Sequence, residues 1–206
     1  MQHLFLASRS PHKARELEAM LKAEFAVEDL REHPEVAEVI EVGATFAENA
    51  RLKAVAISRQ LPGLVLSDDS GLEVDSLGGE PGVFSARYSG ENATDEMNRR
   101  KLLDQMAQLA PGVSRAARFR SILALARDGE VLAVFEGALE GKIVRAERGK
   151  GGFGYDSLFQ PDGLEKTLAE LSPEEKNAIS HRAAAVAQFR SFLETADFSR
   201  LKKVGG

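Results

Sequence analysis

Two strand-forming stretches in the second half of the chain meet at a tight turn, and this feature constrains the fold more than any other. The stretches read RAARFRSILALA and EVLAVFEGALEGKIV, and Asp128-Gly129 lies in the turn between them. Asp-Gly between two apolar stretches is a strong hairpin signal, because both residues accept the positive φ angles of a two-residue turn. The sequence therefore predicts a long β-hairpin that starts at Arg115.

The rest of the chain alternates strands with helices. Leu4–Ala7 and Leu64–Leu66 are short apolar strands. Helical patterns follow four capping residues, Ser10, Thr45, Thr94 and Ser172. The last pattern runs to about Thr195, with a break near Ser180. This β-α-loop-α-β beginning, followed by a hairpin, predicts an α/β protein with a mixed β-sheet flanked by helices. We expect two lobes without a linker between them, so residues 1–206 are treated as a single domain.

Composition narrows the function classes. Hydrophobic residues make up 43% of the 206 residues, which suffices for the core of a globular enzyme. The net charge of −5 argues against general nucleic-acid binding. No cysteine is present, so disulfides, thiolate metal sites and cysteine nucleophiles are excluded. We find no signal-peptide pattern or membrane-spanning run, and expect a soluble cytoplasmic protein whose last residues, KKVGG, are frayed.

The segment SDDSG, residues 67–71, places two adjacent carboxylates after an apolar run. We expect the strand to end at Ser67, with Asp68 and Asp69 at that end. Adjacent carboxylates repel each other, and a divalent cation would cancel the repulsion while one carboxylate accepts a proton from water. A plain acidic turn is the alternative.

Further oxygen ligands lie near the second predicted helix. Glu41 in EVG, and Glu48 and Asn49 in AEN, carry side-chain oxygens that suit a hard cation. Glu48 ranks below Glu41, because a capping box with Thr45 would use its carboxylate. Lys53 follows Asn49 by one helical turn on the same face. With these neighbours we favour a cation site over an acidic turn.

The segment LASRSPHK begins the first predicted helix. Unpaired main-chain amides and the helix dipole attract phosphate at such a terminus. Hydroxyl and cationic side chains are added there by Ser8, Arg9, Ser10 and Lys13. The alternative is an ordinary capped helix with a solvated lysine.

Two later segments suit a flat polar ligand. GKGGFGYD contains four glycines in six residues, so its backbone can approach a base closely, while Phe153 or Tyr155 stacks and Asp156 accepts hydrogen bonds. EEKNAISHR adds three donors for phosphate or a purine carbonyl, Lys176, His181 and Arg182. A flexible turn and a solvated helix face are the respective alternatives.

Five segments in order resemble one family, the inosine/xanthosine triphosphatases, also called the Ham1-like family. They are LASRSPHKARELEAML, TFAENARLKA, SDDSGLEVDSLGGEPGVFSARYSG, GGFGYDSLF and EEKNAISHR, and they cover nearly the whole chain. The resemblance implies an elongated mixed α/β fold with a central cleft. It further implies Mg²⁺-dependent hydrolysis of dITP, ITP and XTP to the monophosphate and pyrophosphate, by a homodimer.

The same resemblance implies individual roles. Asp69 would be the general base, and Asp69 and Glu41 would hold Mg²⁺. The residues implied around the phosphates are Ser8, Arg9, Ser10, Pro11, His12, Lys13 and Lys53, with Asp68 and Ser70 as further substrate-binding residues in the same site. The residues implied around the base are Phe153, Gly154, Tyr155, Asp156, Lys176, His181 and Arg182. Donors in this pocket would pair with a purine 6-oxo group and reject the amino group of adenine.

The sequence departs from the family at two positions. Ser10 stands where asparagine is common, and Ser157 where proline is usual. Because SRSPHK also resembles the Maf-type pyrophosphatases, hydrolysis of a pyrimidine or modified nucleotide is the first alternative. A nucleotide-binding protein without catalysis is the second, and the retained Asp69 and lysines argue against it. A nucleic-acid binder is a third, which the net charge disfavours.

Overall fold

In the computed structural model, which describes residues 2–195, the predicted hairpin lies in the middle of a mixed sheet. The strands of this part of the chain are β1 (Gln2–Leu6), β2 (Phe25–Asp29), β3 (Leu64–Val74), β4 (Ala116–Arg127), β5 (Glu130–Ile143) and β6 (Phe159–Pro161). Their order is β2-β1-β3-β4-β5-β6. Strand β1 runs parallel to β2 and β3, whereas the pairs from β3 to β6 are antiparallel. The predicted mixed α/β fold is confirmed.

The hairpin turn has the expected geometry. Asp128 and Gly129 have φ angles of 51° and 82°, and positive φ at both central residues defines the turn that matches strand twist. Pairing of β4 with β5 extends from Arg127 opposite Glu130 to Ala116 opposite Lys142. The hairpin prediction is confirmed.

The predicted caps begin their helices. Between residues 2 and 195 the α-helices are α1 (Pro11–Leu21), α2 (Phe46–Ser58), α3 (Asp95–Ala107), α4 (Pro173–Ile179) and α5 (His181–Thr195). The side chains of Ser10, Thr45, Thr94 and Ser172 each accept a main-chain N–H from the first turn. The predicted break at Ser180 is confirmed, because α4 ends just before it and α5 begins just after it.

Strand β3 does not end where we expected. It continues through Ser67, Asp68 and Asp69, and pairs with β4 without interruption from Val65 to Val74. The prediction of a strand end at Ser67 is therefore wrong. A buried strand can carry both carboxylates because alternate residues face opposite sides of a sheet, and each aspartate meets cations on its own side.

Strands β2 and β6 were not predicted. The sequence FAVED of β2 lies in the expected loop, where it extends the sheet beside β1. Strand β6 has only three residues and pairs with the end of β5. Both are edge strands whose pairing partner, rather than their own short sequence, determines their conformation.

Strand β3 contributes residues to two separate hydrophobic clusters. The first packs α1 and α5 on the sheet and includes Leu66 and Phe189, while the second includes Leu72 and Leu102. Since β3 contributes Leu66 to one cluster and Leu72 to the other, its polar residues 67–70 lie between them. This arrangement matches the two expected lobes with a polar segment between them.

Helix α5 packs directly on β5. A Cβ atom added to Gly137 would lie 2.5 Å from the main-chain nitrogen of Ala185, so a larger residue would push the helix away from the sheet. The contact holds the first turn of α5, which carries His181 and Arg182, close to the sheet.

Two further expectations concern the rest of the chain. Among residues 2–195, no helix is both long enough and apolar enough to cross a membrane. The segment KKVGG, predicted to be a frayed end, lies outside the described residues.

Candidate active site

A cavity of about 380 Å³ lies along the polar segment of β3. It is lined by nearly all the residues that the sequence singled out, namely Ser8, Arg9, Ser10, His12, Lys13, Glu41, Lys53, Asp68, Ser70, Phe153, Gly154, Tyr155, Asp156, His181 and Arg182. The others, Pro11, Asp69 and Lys176, lie beside it: Pro11 begins α1, Asp69 contacts Lys53, and Lys176 contacts Asp156. The structure thus brings the predicted site residues together.

The N-terminus of α1 forms one end of the cavity. Ser10 Oγ accepts the main-chain N–H of Lys13 at 3.4 Å, and Ser8 Oγ accepts that of Ser10 at 3.1 Å. The Lys13 ammonium lies 3.2 Å from Asp68 Oδ2. Burial lowers the pKa of Lys13, although the Asp68 carboxylate opposes this shift. A phosphate here would meet the ammonium and the positive end of the helix dipole.

Arg9 makes structural contacts in addition to lining the cavity. Its Nη1 donates to the carbonyl of Leu30 at 2.6 Å, and its Nη2 donates to that of Val36 at 2.6 Å. These bonds tie the loop after β2 to the start of α1. The guanidinium has five N–H groups, so the predicted phosphate contact of Arg9 would use those that these bonds leave.

Asp68 is almost fully buried and surrounded by donors. Lys13 lies on one side, Arg182 Nε donates to Oδ2 at 3.1 Å, and Ser121 Oγ donates to Oδ1 at 2.7 Å. Ser70 Oγ donates to Oδ2 at 3.1 Å. Burial alone would raise the pKa of Asp68, but the two cations and the Ser121 hydroxyl hold that pKa far below its usual range. Asp68 is therefore a permanent anion whose charge the protein already compensates.

Asp69 meets different partners. Its Oδ1 accepts a hydrogen bond from Lys53 Nζ at 2.9 Å, and the same ammonium lies 2.8 Å from Glu41 Oε1. The second oxygen, Oδ2, is buried and has no hydrogen-bond partner within residues 2–195. Burial raises the pKa of Asp69, opposed by Lys53. A buried carboxylate oxygen without a partner is costly, so this atom is the candidate position for an additional ligand.

Two side chains considered as cation ligands instead hold the segment around Glu41. Asn49 Oδ1 accepts the N–H of Gly43 at 2.8 Å, and Glu48 Oε2 accepts that of Ala44 at 2.7 Å. Glu48 also completes the predicted capping box of α2. These oxygens fix the backbone just past Glu41, whose own carboxylate contacts Lys53.

The other end of the cavity is built around Phe153. The imidazole of His12 stacks on its ring, with centroids 4.9 Å apart and an interplanar angle of 15°. Lys176 Nζ lies 4.7 Å from the ring centroid, and Arg182 Cζ lies 5.5 Å from it. The main-chain N–H of Phe153 donates to Asp156 Oδ2 at 2.8 Å. An aromatic face suited to a base is therefore present, fixed through its backbone.

Glu16 links the two cations of this end, a role that was not predicted. Its Oε1 lies 2.7 Å from Lys176 Nζ, and its Oε2 lies 2.9 Å from Arg182 Nη1. Lys176 also pairs with Asp156 at 2.5 Å. Both cations are nearly fully buried, and buried charges require such partners. The sequence feature that could have indicated this role is the spacing, because Glu16 follows Lys13 by three residues on the same helix face.

His181 has a polar side-chain atom without a hydrogen-bond partner among residues 2–195, whereas the Tyr155 hydroxyl is hydrogen-bonded. His181 stacks on Phe119 with centroids 4.9 Å apart, and burial, reinforced by Arg182, lowers its pKa well below the usual value. The imidazole is therefore neutral, and its buried Nδ1 has no partner in the described part of the chain. Tyr155 instead donates its hydroxyl to the carbonyl of Ser85 at 2.9 Å, and its ring packs in the second hydrophobic cluster.

Ser121 and Phe119 are further site residues that were not predicted. Both lie on β4, and Ser121 is fully buried. The available signal was a single hydroxyl within the apolar run SILALA. Ser157, where the family usually has proline, donates its hydroxyl to Glu147 Oε2 at 2.9 Å.

Comparisons with known proteins agree on one family. The sequence model of the Ham1 family matches residues 4–192. The chain is 48% identical over 189 residues to the dITP/XTP pyrophosphatase of Geobacillus kaustophilus, covering 91% of this chain and 92% of the relative. It is 42% identical over 195 residues to the dITP/XTP pyrophosphatase of Bacillus subtilis, covering 94% and 98%. The structure of a HAM1 protein from Coxiella burnetii matches with a TM-score of 0.85 at 40% identity, covering 95% of this chain and 100% of that one.

Proposed function

This chain belongs to the Ham1 family, and we propose that it hydrolyses dITP, ITP and XTP to the nucleoside monophosphate and pyrophosphate. The observation that carries the proposal is the unpartnered Oδ2 of Asp69, held beside Lys53 at the edge of a cavity that ends at Phe153. A carboxylate oxygen without a hydrogen-bond donor can accept a proton from water. The relatives named dITP/XTP pyrophosphatase support the substrate class.

We propose Asp69 and Glu41 as the residues that hold Mg²⁺. Asp69 Oδ2 has no partner, and the second oxygen of Glu41 has its charged neighbour, Arg87 Nη1, 3.7 Å away. Mg²⁺ commonly uses one or two carboxylates together with substrate phosphates. This fits the described residues, among which no group of three or more acidic, histidine or cysteine ligands occurs. Bound Mg²⁺ would offset the phosphate charge that repels a nucleophile.

Two lysines would assist the reaction: Lys53 orients Asp69, and Lys13 binds the phosphates. Burial lowers the pKa of Lys53, but Asp69 and Glu41 outweigh it and raise that pKa, so Lys53 stays charged. Its ammonium orients Asp69 Oδ1 and leaves both lone pairs of Oδ2, one for the proposed Mg²⁺ and one for a proton of the attacking water. The raised pKa of Asp69 makes it a stronger base than an exposed aspartate. Lys13 and the amides of α1 stabilise the departing pyrophosphate.

Buried donors beside Phe153 support a preference for 6-oxo purines. Arg182 has five N–H groups, and its three nitrogens each donate one hydrogen bond, to Asp68, Glu16 and Ser70. The remaining N–H groups can donate to a 6-oxo group. The 6-amino group of adenine is itself a donor, so it would leave these buried groups unmatched, which gives strong discrimination.

We also propose a homodimer that works in the cytoplasm. Ile40, Val42 and Phe84 are 80%, 77% and 57% exposed, and large apolar side chains at such exposure are candidates for burial against a second copy. The cytoplasmic location is proposed because the nucleotide pool that supplies these substrates lies there. Sedimentation velocity tests the dimer, and a monomer at micromolar concentration would reject it.

Pyrophosphate release from a panel of nucleotides tests the activity. We expect dITP and XTP to exceed ATP in kcat/KM by about 100-fold or more, and a chelator to stop the reaction. A lead for dUTP or dTTP would assign the protein to pyrimidine nucleotides instead. No release from any nucleotide would reject hydrolysis.

Replacement of Asp69 tests its role as the base. Asp69→Asn keeps the shape but loses the basic oxygen, so kcat for dITP should fall by about 10²–10⁴-fold, with a smaller change in dITP affinity. Asp128→Asn, the same substitution in the exposed hairpin turn, serves as the control and should retain activity. A near-wild-type kcat for Asp69→Asn would remove Asp69 from the mechanism.

A further inference from the structure

The His12 imidazole covers the ring that the proposed function assigns to the purine. The two ring centroids are 4.9 Å apart and the planes are nearly parallel. Stacked carbon atoms are separated by roughly 3.5 Å, so a purine between two parallel rings needs roughly 7 Å. The base therefore cannot enter between His12 and Phe153 while they keep this separation.

The groups around Phe153 differ in how firmly they are held. Lys176 and Arg182 are nearly fully buried, and each pairs with the carboxylate of Glu16 on α1. The backbone next to Phe153 is held as well, because the N–H of Gly154 donates to Asp95 Oδ2 at 2.6 Å. By contrast, His12 is exposed, and its imidazole has no hydrogen bond or ion pair with any residue from 2 to 195. His12 is thus the group that can move.

A second cavity gives the imidazole a place to go. This cavity of about 250 Å³ is lined by the glycine-rich residues 149–154 and by Arg99. It shares His12 and Phe153 with the larger cavity. The stacked pair therefore stands between the two cavities. A rotation of the His12 side chain toward the smaller one would uncover Phe153 without any change in α1.

We infer that His12 occupies the base-stacking face of Phe153 in the free enzyme and is displaced by the incoming purine. The inference rests on the proposed function only for the identity of the ligand. Since the displaced imidazole does not contact the base, it weakens the binding of all nucleotides by the same factor and contributes nothing to discrimination. The strength of an aromatic pair sets this factor at about 2- to 12-fold.

Two substitutions change the competing ring in opposite directions. For ITP, His12→Ala should lower KM by about 2- to 12-fold, whereas His12→Phe should raise it, because a larger ring competes more strongly. XTP and GTP should change by the same factor. His3→Ala, which removes an exposed imidazole distant from the cavity, should leave KM unchanged. The reverse order of KM would overturn the inference, because His12 would then stack on the bound base. Equal KM values for all variants would overturn it as well.

Binding without turnover separates this inference from the proposed function. The Kd of ITP, measured by calorimetry without Mg²⁺, should follow the same order of variants. That order would support the inference even if no nucleotide were hydrolysed, a result that would reject the activity alone.

The imidazole itself reports its displacement. The chain has four histidines, so single substitutions can assign their ring protons by NMR. The ring current of Phe153 should shift the His12 signal upfield in the free protein, and ITP should return it to the position of an exposed histidine. A His12 signal that stays upfield in the complex would overturn displacement.

Discussion

Ser121 allows a direct test of how Asp68 is kept charged in the interior. Its fully buried hydroxyl donates to Asp68 Oδ1 at 2.7 Å. A hydrogen bond to a charged acceptor contributes about 1.5–3 kcal/mol to stability, compared with about 0.5–1.5 kcal/mol for a neutral acceptor. Since Ser121→Ala removes this donor, we expect the free energy of unfolding to fall by about 1.5–3 kcal/mol.

Ser67 supplies a matched control on the neighbouring strand. It is also fully buried, but its hydroxyl donates to the main-chain carbonyl of Ala50 at 2.6 Å. Ser67→Ala should therefore cost about 0.5–1.5 kcal/mol. Urea unfolding at neutral pH, followed by circular dichroism, measures both losses. Thermal unfolding is an independent check, with a shift in Tm of about 2–4 °C per kcal/mol for a chain of this size.

Equal losses for the two variants would refute the reasoning, because the charge of the acceptor would then contribute nothing. A double-mutant cycle with Asp68→Asn extends the test. In that background Ser121→Ala should cost no more than the neutral control. A loss as large as in the wild type would show that the Ser121 hydroxyl stabilises something other than the carboxylate charge.

Two further predictions concern other charged groups. Glu16→Gln removes the carboxylate that contacts both Lys176 and Arg182, so urea unfolding should show a loss of about 3 kcal/mol; an unchanged midpoint would contradict the role of this carboxylate. Burial lowers the pKa of His33, but hydrogen bonds to two glutamates outweigh it and raise that pKa, so the stability from His33 should be complete below pH 6.5 and lost as pH rises through the folded value. The difference in free energy of unfolding between wild type and His33→Gln, measured from about pH 5.5 to 8.5, should therefore shrink as pH rises. A difference that grows with pH would contradict the prediction.

The parts of the fold that could be predicted are those encoded by neighbouring residues. Caps such as Thr45 with Glu48, and the Asp128-Gly129 turn, depend on hydrogen bonds and φ angles within a few residues. The length of β3 could not be predicted in this way. Its continuation past Ser67 depends on cations that are distant in sequence, and a carboxylate within a strand is otherwise unfavourable.

The same limit applies to the site, because six of its charged side chains hold one another in a continuous series of ion pairs. Positive and negative groups alternate from the α1 end of the cavity to its Phe153 end, in the order Lys13, Asp68, Arg182, Glu16, Lys176 and Asp156. Removal of one member leaves its neighbours buried without compensation, which is more costly than the loss of an exposed pair. Among residues 2–195, Glu16 is the carboxylate that contacts both Lys176 and Arg182. An acidic residue on a helix is ordinary in sequence, and only the meeting of α1 with α4 and α5 gives Glu16 its position. The donors beside Phe153 are therefore held by a residue of α1, the helix whose N-terminus forms the other end of the cavity.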